Sequence, residues 1–171
     1  MTHIDSIHSS NSPEWFTPKI YVEAVRKVLR SIDLDPASCQ KAQATIKARR
    51  YMTSADNGLE YPWDGRVFVN PPYGKTGSQS NQAIWSRKMV QEYEAGNLSE
   101  GILLVNAQTA EKWFQPLWHY AICLTDHRIK FVSPVGEPKQ PTHGNAFVYF
   151  GPHTDLFGEI FSQFGRIVEP K

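Results

Sequence analysis

The sequence predicts an α/β protein in which helices cover both faces of one sheet. Three observations carry that prediction. Strand-like and helix-like segments alternate through the second half of the chain. Gly101–Asn106 and Tyr120–Leu124 are unbroken apolar runs, the pattern of strands buried on both faces. Asn70 and Asn106 each follow an apolar strand directly, which puts them on the carboxyl edge where such sheets bind ligands.

The elements follow in chain order. Thr17-Pro18 opens a helix, because proline lacks only an N–H that the first turn does not use. Val22, Val25, Val28 and Leu29 then recur at helical spacing. Ile32–Asp35 alternates as a short strand and stops at Pro36, and 42–49 has room for one or two helical turns. Arg66–Val69 is an apolar strand ended by Asn70-Pro71-Pro72. A helix is predicted over 82–93, with Ile84, Trp85, Lys88 and Met89 along its inner stripe, and another over 109–118. Residues 129–132 and 146–150 read as two further strands, open to antiparallel pairing. A helix over 155–164 and a strand over 166–168 close the chain.

A length of 171 residues suits one domain, and no break in composition argues for two. Residues 1–13 are polar and read as a disordered leader, leaving 14–171 as a single domain. No apolar run in the leader has the length of a signal peptide or membrane span, so the reading is a cytoplasmic protein. The two cysteines and six histidines show no ligand spacing, and no metal is expected. With a net charge of +1, any surface for a polyanion must be a local patch. Lys47, Arg49 and Arg50 form one candidate, and His127, Arg128 and Lys130 another; either group is equally a solvated face.

Asn70-Pro71-Pro72-Tyr73 carries the chemistry. Two consecutive prolines after a buried strand make a rigid turn that presents carbonyls and offers no N–H. Such a turn suits an amino group with hydrogens to donate. The nitrogen of an exocyclic amine such as adenine N6 is a poor nucleophile, its lone pair delocalised into the ring. Acceptors at the Asn70 side chain and the Pro71 carbonyl would hold both N–H groups and favour a pyramidal nitrogen. Tyr73 would stack on a base that has left its duplex, a contact worth roughly 1–3 kcal/mol. A plain strand-ending turn is the competing reading. RNA adenine, cytosine N4 or a glutamine amide would be served by the same turn, and a catalytically silent cofactor- or nucleic-acid-binding protein of the same fold is the other alternative.

From residue 14 to about 164 the chain resembles the phage-type, Dam-like DNA N6-adenine methyltransferases. The matching segments, in order, are Glu14-Trp15-Phe16-Thr17-Pro18, Asp33-Leu34-Asp35-Pro36-Ala37-Ser38, Asp56-Asn57-Gly58-Leu59 with Trp63, and Val69-Asn70-Pro71-Pro72-Tyr73-Gly74. The resemblance implies a compact Rossmann-like sheet, S-adenosylmethionine as cofactor, DNA with a flipped adenine as partner, and action inside a bacterial or phage-infected cell.

It also implies residue roles. Trp15, Thr17 and Pro18 would meet the methionine end of the cofactor; a plain helix cap at Thr17 followed by proline is the competing reading. Asp35, Pro36 and Ala37 form the loop after the first strand, where the acid would take the ammonium or a ribose hydroxyl; an Asx turn explains the same residues. Asp56 would accept from the cofactor's adenine, or close its own turn. Asn70, Pro71, Pro72 and Tyr73 would be catalytic, with Asn70 also touching cofactor. Phe131 would face Tyr73 across the base, unless it is core, and Arg128 and Lys130 would meet phosphates. Two departures stand out. The loop after Asp35 has no glycine, and the interval from Asp35 to Asn70 leaves little room for two full strand–helix units, which predicts a trimmed sheet edge. The loops at 74–81 and 133–143 would act as lid or groove reader.

Overall fold

Helix α1 (Lys19–Leu29) starts directly after Pro18, and its predicted stripe is fully buried: Val22, Val25, Val28 and Leu29 have no exposed surface. The computed structural model describes residues 15–134, 138–139 and 142–171. The leader therefore lies outside the described residues, as do parts of the 133–143 loop. Strand β1 (Leu34–Asp35), helix α2 (Gln40–Ile46) and strand β2 (Arg50–Tyr51) follow. Next come β3 (Gly65–Val69) and a small hairpin of β4 (Lys75–Thr76) and β5 (Gln79–Ser80). Helix α3 (Asn81–Glu94), the long strand β6 (Leu98–Asn106), a 3-10 helix (Lys112–His119) and β7 (Ala121–Thr125) occupy the middle. Strands β8 (Phe131–Val132) and β9 (Pro138–Lys139) pair with each other, and β10 (Asn145–Phe150), α4 (Thr154–Phe161) and β11 (Gly165–Val168) end the chain.

Seven strands form the main sheet in the order β11-β7-β10-β6-β3-β1-β2. Strands β2, β1, β3 and β6 are parallel, and β10 is antiparallel to both β6 and β7. This is a mixed α/β sheet compatible with a Rossmann-like methyltransferase fold. Its β2 edge is only two residues long, and 52–64 crosses from β2 to β3 without a helix. The alternation of side chains assigns each face its own core. Phe68, Ile102, Leu104, Cys123 and Phe147 point toward α1, α2 and α4. Val67, Val69, Leu103, Val105, Ile122 and Val148 point toward α3 and the 3-10 helix. Burying each such side chain stabilises by roughly 1.5–3 kcal/mol.

Several elements depart from the periodicity. The 109–118 segment is a 3-10 helix from Lys112, with Pro116 inside it. Proline removes an N–H and crowds the carbonyl four residues earlier, which disfavours an α-helical turn there. Of residues 129–132 only Phe131–Val132 is a strand, and it lies outside the main sheet, bridged to Phe16. The inner stripe of α3 is Gln82, Trp85, Ser86, Met89 and Glu92, so Lys88 and Ile84 flank it. The polar members are accommodated individually: Gln82 accepts from the Asn106 N–H at 2.8 Å, and Glu92 pairs with Lys88 and accepts from Asn97. Among the described residues no helix is long and apolar enough to cross a membrane.

Candidate functional site

The parallel strands β1, β3 and β6 bring Asp35, Asn70 and Asn106 to one edge of the sheet. Strand β3 delivers Asn70 at its end, where Pro71 is buried and Pro72 exposed. The Asn70 amide nitrogen donates to the Trp15 carbonyl at 3.1 Å and to Thr17 Oγ1 at 3.3 Å. With Nδ2 engaged twice on one side, Oδ1 is left as the acceptor that the side chain presents. Thr17 is buried and does not cap α1; its hydroxyl belongs to this contact, and Pro18 holds the boundary position.

A second set of bonds fixes that arrangement. Phe16 and Val132 exchange backbone hydrogen bonds of 2.8 and 3.0 Å, tying the segment before α1 to β8. The next residue in β8, Phe131, meets Tyr73 edge to face with centroids 6.1 Å apart. Phe131 is only 2% exposed and belongs to the core around α1. Its geometry is a packing contact on Tyr73, not a second parallel face across a base-sized gap. Burial pushes the Tyr73 hydroxyl up to about 12, so it stays neutral.

The hairpin after the turn is anchored by Asn81, which the sequence pattern did not single out. Its Nδ2 donates to the Tyr73 carbonyl at 3.2 Å, its Oδ1 accepts from Thr76 at 2.6 Å, and its N–H reaches the Gly74 carbonyl at 2.9 Å. The signal available was only a polar residue opening a helix after a Gly/Ser-rich loop.

Asp35 is 2% exposed at the end of β1. Its Oδ1 accepts from the Ala37 N–H at 3.3 Å, as in an Asx turn, and its Oδ2 from Gln43 Nε2 at 3.1 Å. Desolvation dominates over these bonds and raises the carboxyl from its ordinary 3.8 to about 6. Among the described residues no basic side chain contributes to that balance. Strand β2 sets Tyr51, 40% exposed, beside Asp35 in register, a neighbour hidden by the brevity of the strand.

Asp56 lies in the crossing from β2 to β3, and its carboxylate accepts from the Thr53 N–H and hydroxyl at 2.7 and 2.8 Å. Those two bonds hold it below the usual range and close its own turn. The same loop docks on the β1 edge: a Cβ on Gly58 would fall 2.1 Å from the Pro36 carbonyl oxygen, and Trp63 Nε1 holds the Gly58 carbonyl at 2.8 Å.

Of the two basic groups, the first has two of its three members in ion pairs, Arg49 with Asp33 at 3.6 Å and Arg50 with Asp64, while Lys47 is exposed. In the second, His127 is bonded to Asp126 at 2.7 Å and to the Tyr21 hydroxyl at 2.6 Å, while Arg128 and Lys130 are exposed. Among the described residues no cluster of three or more His, Cys, Asp or Glu gathers as a metal site.

A protein-family model described as DNA N-6-adenine-methyltransferase (Dam) matches residues 6–150, a span that contains every residue of this edge. No curated protein matches the chain significantly.

Proposed function

The chain belongs to the DNA N-6-adenine-methyltransferase (Dam) family, and from that premise we propose that it methylates N6 of an adenine flipped into the Asn70–Tyr73 turn, with S-adenosylmethionine as donor. Membership makes it a DNA adenine methyltransferase in general terms. The observation that carries the finer reading is the Asn70 amide, held by Trp15 and Thr17 so that Oδ1 is its free acceptor.

In this mechanism the extruded base sets its amino group against Asn70 Oδ1 and the Pro71 carbonyl. The two acceptors bind the N–H groups, localise the lone pair and stabilise the positive charge that builds on N6. The prolines supply no competing donor. Tyr73, neutral and packed on Phe131, offers a ring face to the base. Trp15 and Thr17 act through Asn70 as positioning residues. Arg128 and Lys130 are candidates for phosphate contacts.

The donor set also suits the cofactor. Asp35 is a buried carboxyl with no cation beside it among the described residues, a chemistry that an ammonium group would complete. Asp35, Pro36 and Ala37 would hold the methionine end together with the segment at Thr17-Pro18. The Asp56 turn, docked on Pro36, would wall the adenosine side. When bound, S-adenosylmethionine supplies an electrophilic methyl group on a sulfonium. With cellular DNA as substrate, the place of action is the cytoplasm of a bacterium or phage-infected host.

Mass spectrometry of nucleosides from DNA and RNA of expressing cells tests the reading. The expected result is N6-methyladenine in DNA that vanishes with Asn70→Ala. Soluble wild-type protein with no modified adenine in DNA would overturn it, and N4-methylcytosine or methylated RNA in its place would reassign the substrate.

A further inference from the structure

A groove of about 1130 Å³ begins at Gly74, next to Tyr73, and runs between the β4–β5 hairpin and α3 on one side and the 3-10 helix on the other. We propose that this groove is the channel for the DNA strand flanking the flipped nucleotide, with Trp113 stacking on a neighbouring base. The inference rests on the methyltransferase reading above and adds to it the path of the substrate.

Size speaks first. The volume exceeds the roughly 300–1,000 Å³ of ordinary small-molecule pockets, and the groove is open to solvent, as a polymer requires. Charge is the second observation. Lys75 from β4, Arg87 from α3 and Lys112 from the 3-10 helix converge on it from three separate elements. All three are exposed, and none forms an ion pair among the described residues. Against them the lining has the single acid Glu111, a local surplus in a chain of net charge +1. This is the local patch that a near-neutral protein needs to bind a polyanion.

Two further features suit a nucleotide strand rather than a free phosphate. Trp113 is half-buried and braced by Phe114, whose centroid is 5.6 Å away at an interplanar angle of 65°. Aromatic rings fixed along a basic groove are the stacking platforms of single-strand binding. Ser86, on the inner stripe of α3 and also in the lining, is 1% exposed and its hydroxyl has no partner. A buried hydroxyl left unsatisfied by its own chain calls for a partner, and at the groove wall an ordered water or a ligand atom can supply it.

Fluorescence anisotropy with a labelled single-stranded oligodeoxynucleotide, its duplex and the RNA of the same sequence provides the test. For the triple variant Lys75→Gln, Arg87→Gln, Lys112→Gln, the slope of log K against log salt should fall by about 2 for the single strand, at roughly 0.7 per lost phosphate contact. Trp113→Ala should weaken binding roughly 5- to 100-fold, and Trp113→Phe should recover much of that loss. S-adenosylmethionine affinity should match wild type in every variant, and the thermal unfolding midpoint should match it in the triple variant, whose three side chains are exposed. Wild-type binding with an unchanged slope and affinity in the triple variant overturns the channel and leaves the methyltransferase reading standing. Tighter, variant-sensitive binding of the RNA overturns the DNA assignment. A wild-type chain that binds none of the three and modifies no adenine overturns both.

Discussion

Asp35 provides a prediction whose size can be worked from its surroundings. Its carboxyl is buried and lifted from 3.8 to about 6, so between those two pH values the folded protein holds a proton that the unfolded chain has released. The native state is therefore penalised as pH rises through this window: the contribution is absent below about 4 and complete above about 6. At 1.36 kcal/mol per pH unit, a displacement of about two pH units corresponds to roughly 3 kcal/mol. The near-isosteric Asp35→Asn cannot ionise and escapes that penalty. It brings its own cost, because an amide nitrogen would replace Oδ2 opposite Gln43 Nε2. Gln43 has little freedom to turn round, since its Oε1 accepts the Ala48 N–H at 2.8 Å. That mismatch is worth about 1–3 kcal/mol, but it acts at every pH. The difference between two pH values isolates the proton. Urea unfolding of both proteins at pH 4 and pH 8 should show the stability gap moving by about 2 kcal/mol in favour of Asn at the higher pH, since the unfolded chain is already partly ionised at pH 4. A gap constant to within about 0.5 kcal/mol would show that Asp35 titrates as an ordinary surface acid and would refute the argument.

The same carboxyl should release a proton when S-adenosylmethionine binds near pH 6, because an adjacent ammonium favours the ionised form; calorimetry in buffers of different ionisation enthalpy reads this, and buffer-independent heats would count against the contact. Asn81→Ala frees the Tyr73 carbonyl and the hairpin, so turnover should fall about 10- to 100-fold with cofactor affinity unchanged; equal losses of both would point to a general loosening of the fold. Gly58→Ala places a methyl group 2.1 Å from the Pro36 oxygen and must push the Asp56 loop off the β1 edge. Titration should show weaker cofactor binding in a protein that still folds, and unaltered affinity would separate that loop from the cofactor. Tyr149→Phe removes a buried hydroxyl that donates to Glu100 at 2.8 Å and accepts from the His153 N–H at 3.0 Å, and should cost about 1–3 kcal/mol in chemical denaturation.

How much of this was legible beforehand depended on the length and regularity of each element. Strands β3, β6, β7 and β10 announce themselves as apolar runs, since a strand covered on both faces must be apolar throughout. Helix α1 was equally plain: all four residues of its predicted stripe are buried, and Tyr21 and Ala24 widen the buried face beside them. Strands β2, β4 and β5 were not, because two residues show no periodicity and their pairing is decided by the chains beside them. The same limit applied to Phe131. A lone aromatic next to lysine and arginine reads as a base-facing ring, and only the bridge from Phe16 to Val132 shows that it is buried against Tyr73.

By itself the sequence determined the long buried strands of the sheet, the place of Asn70-Pro71-Pro72-Tyr73 at a strand end, and the family to which that turn belongs. These depend on local rules: side-chain alternation, the fixed φ of proline, and motif order. The tertiary structure alone decided which way the Asn70 amide faces, that Asp35 is buried by desolvating neighbours, and that Lys75, Arg87 and Lys112 share one groove. Each of those results depends on residues far apart in the chain, brought together only when two cores form on opposite faces of one sheet.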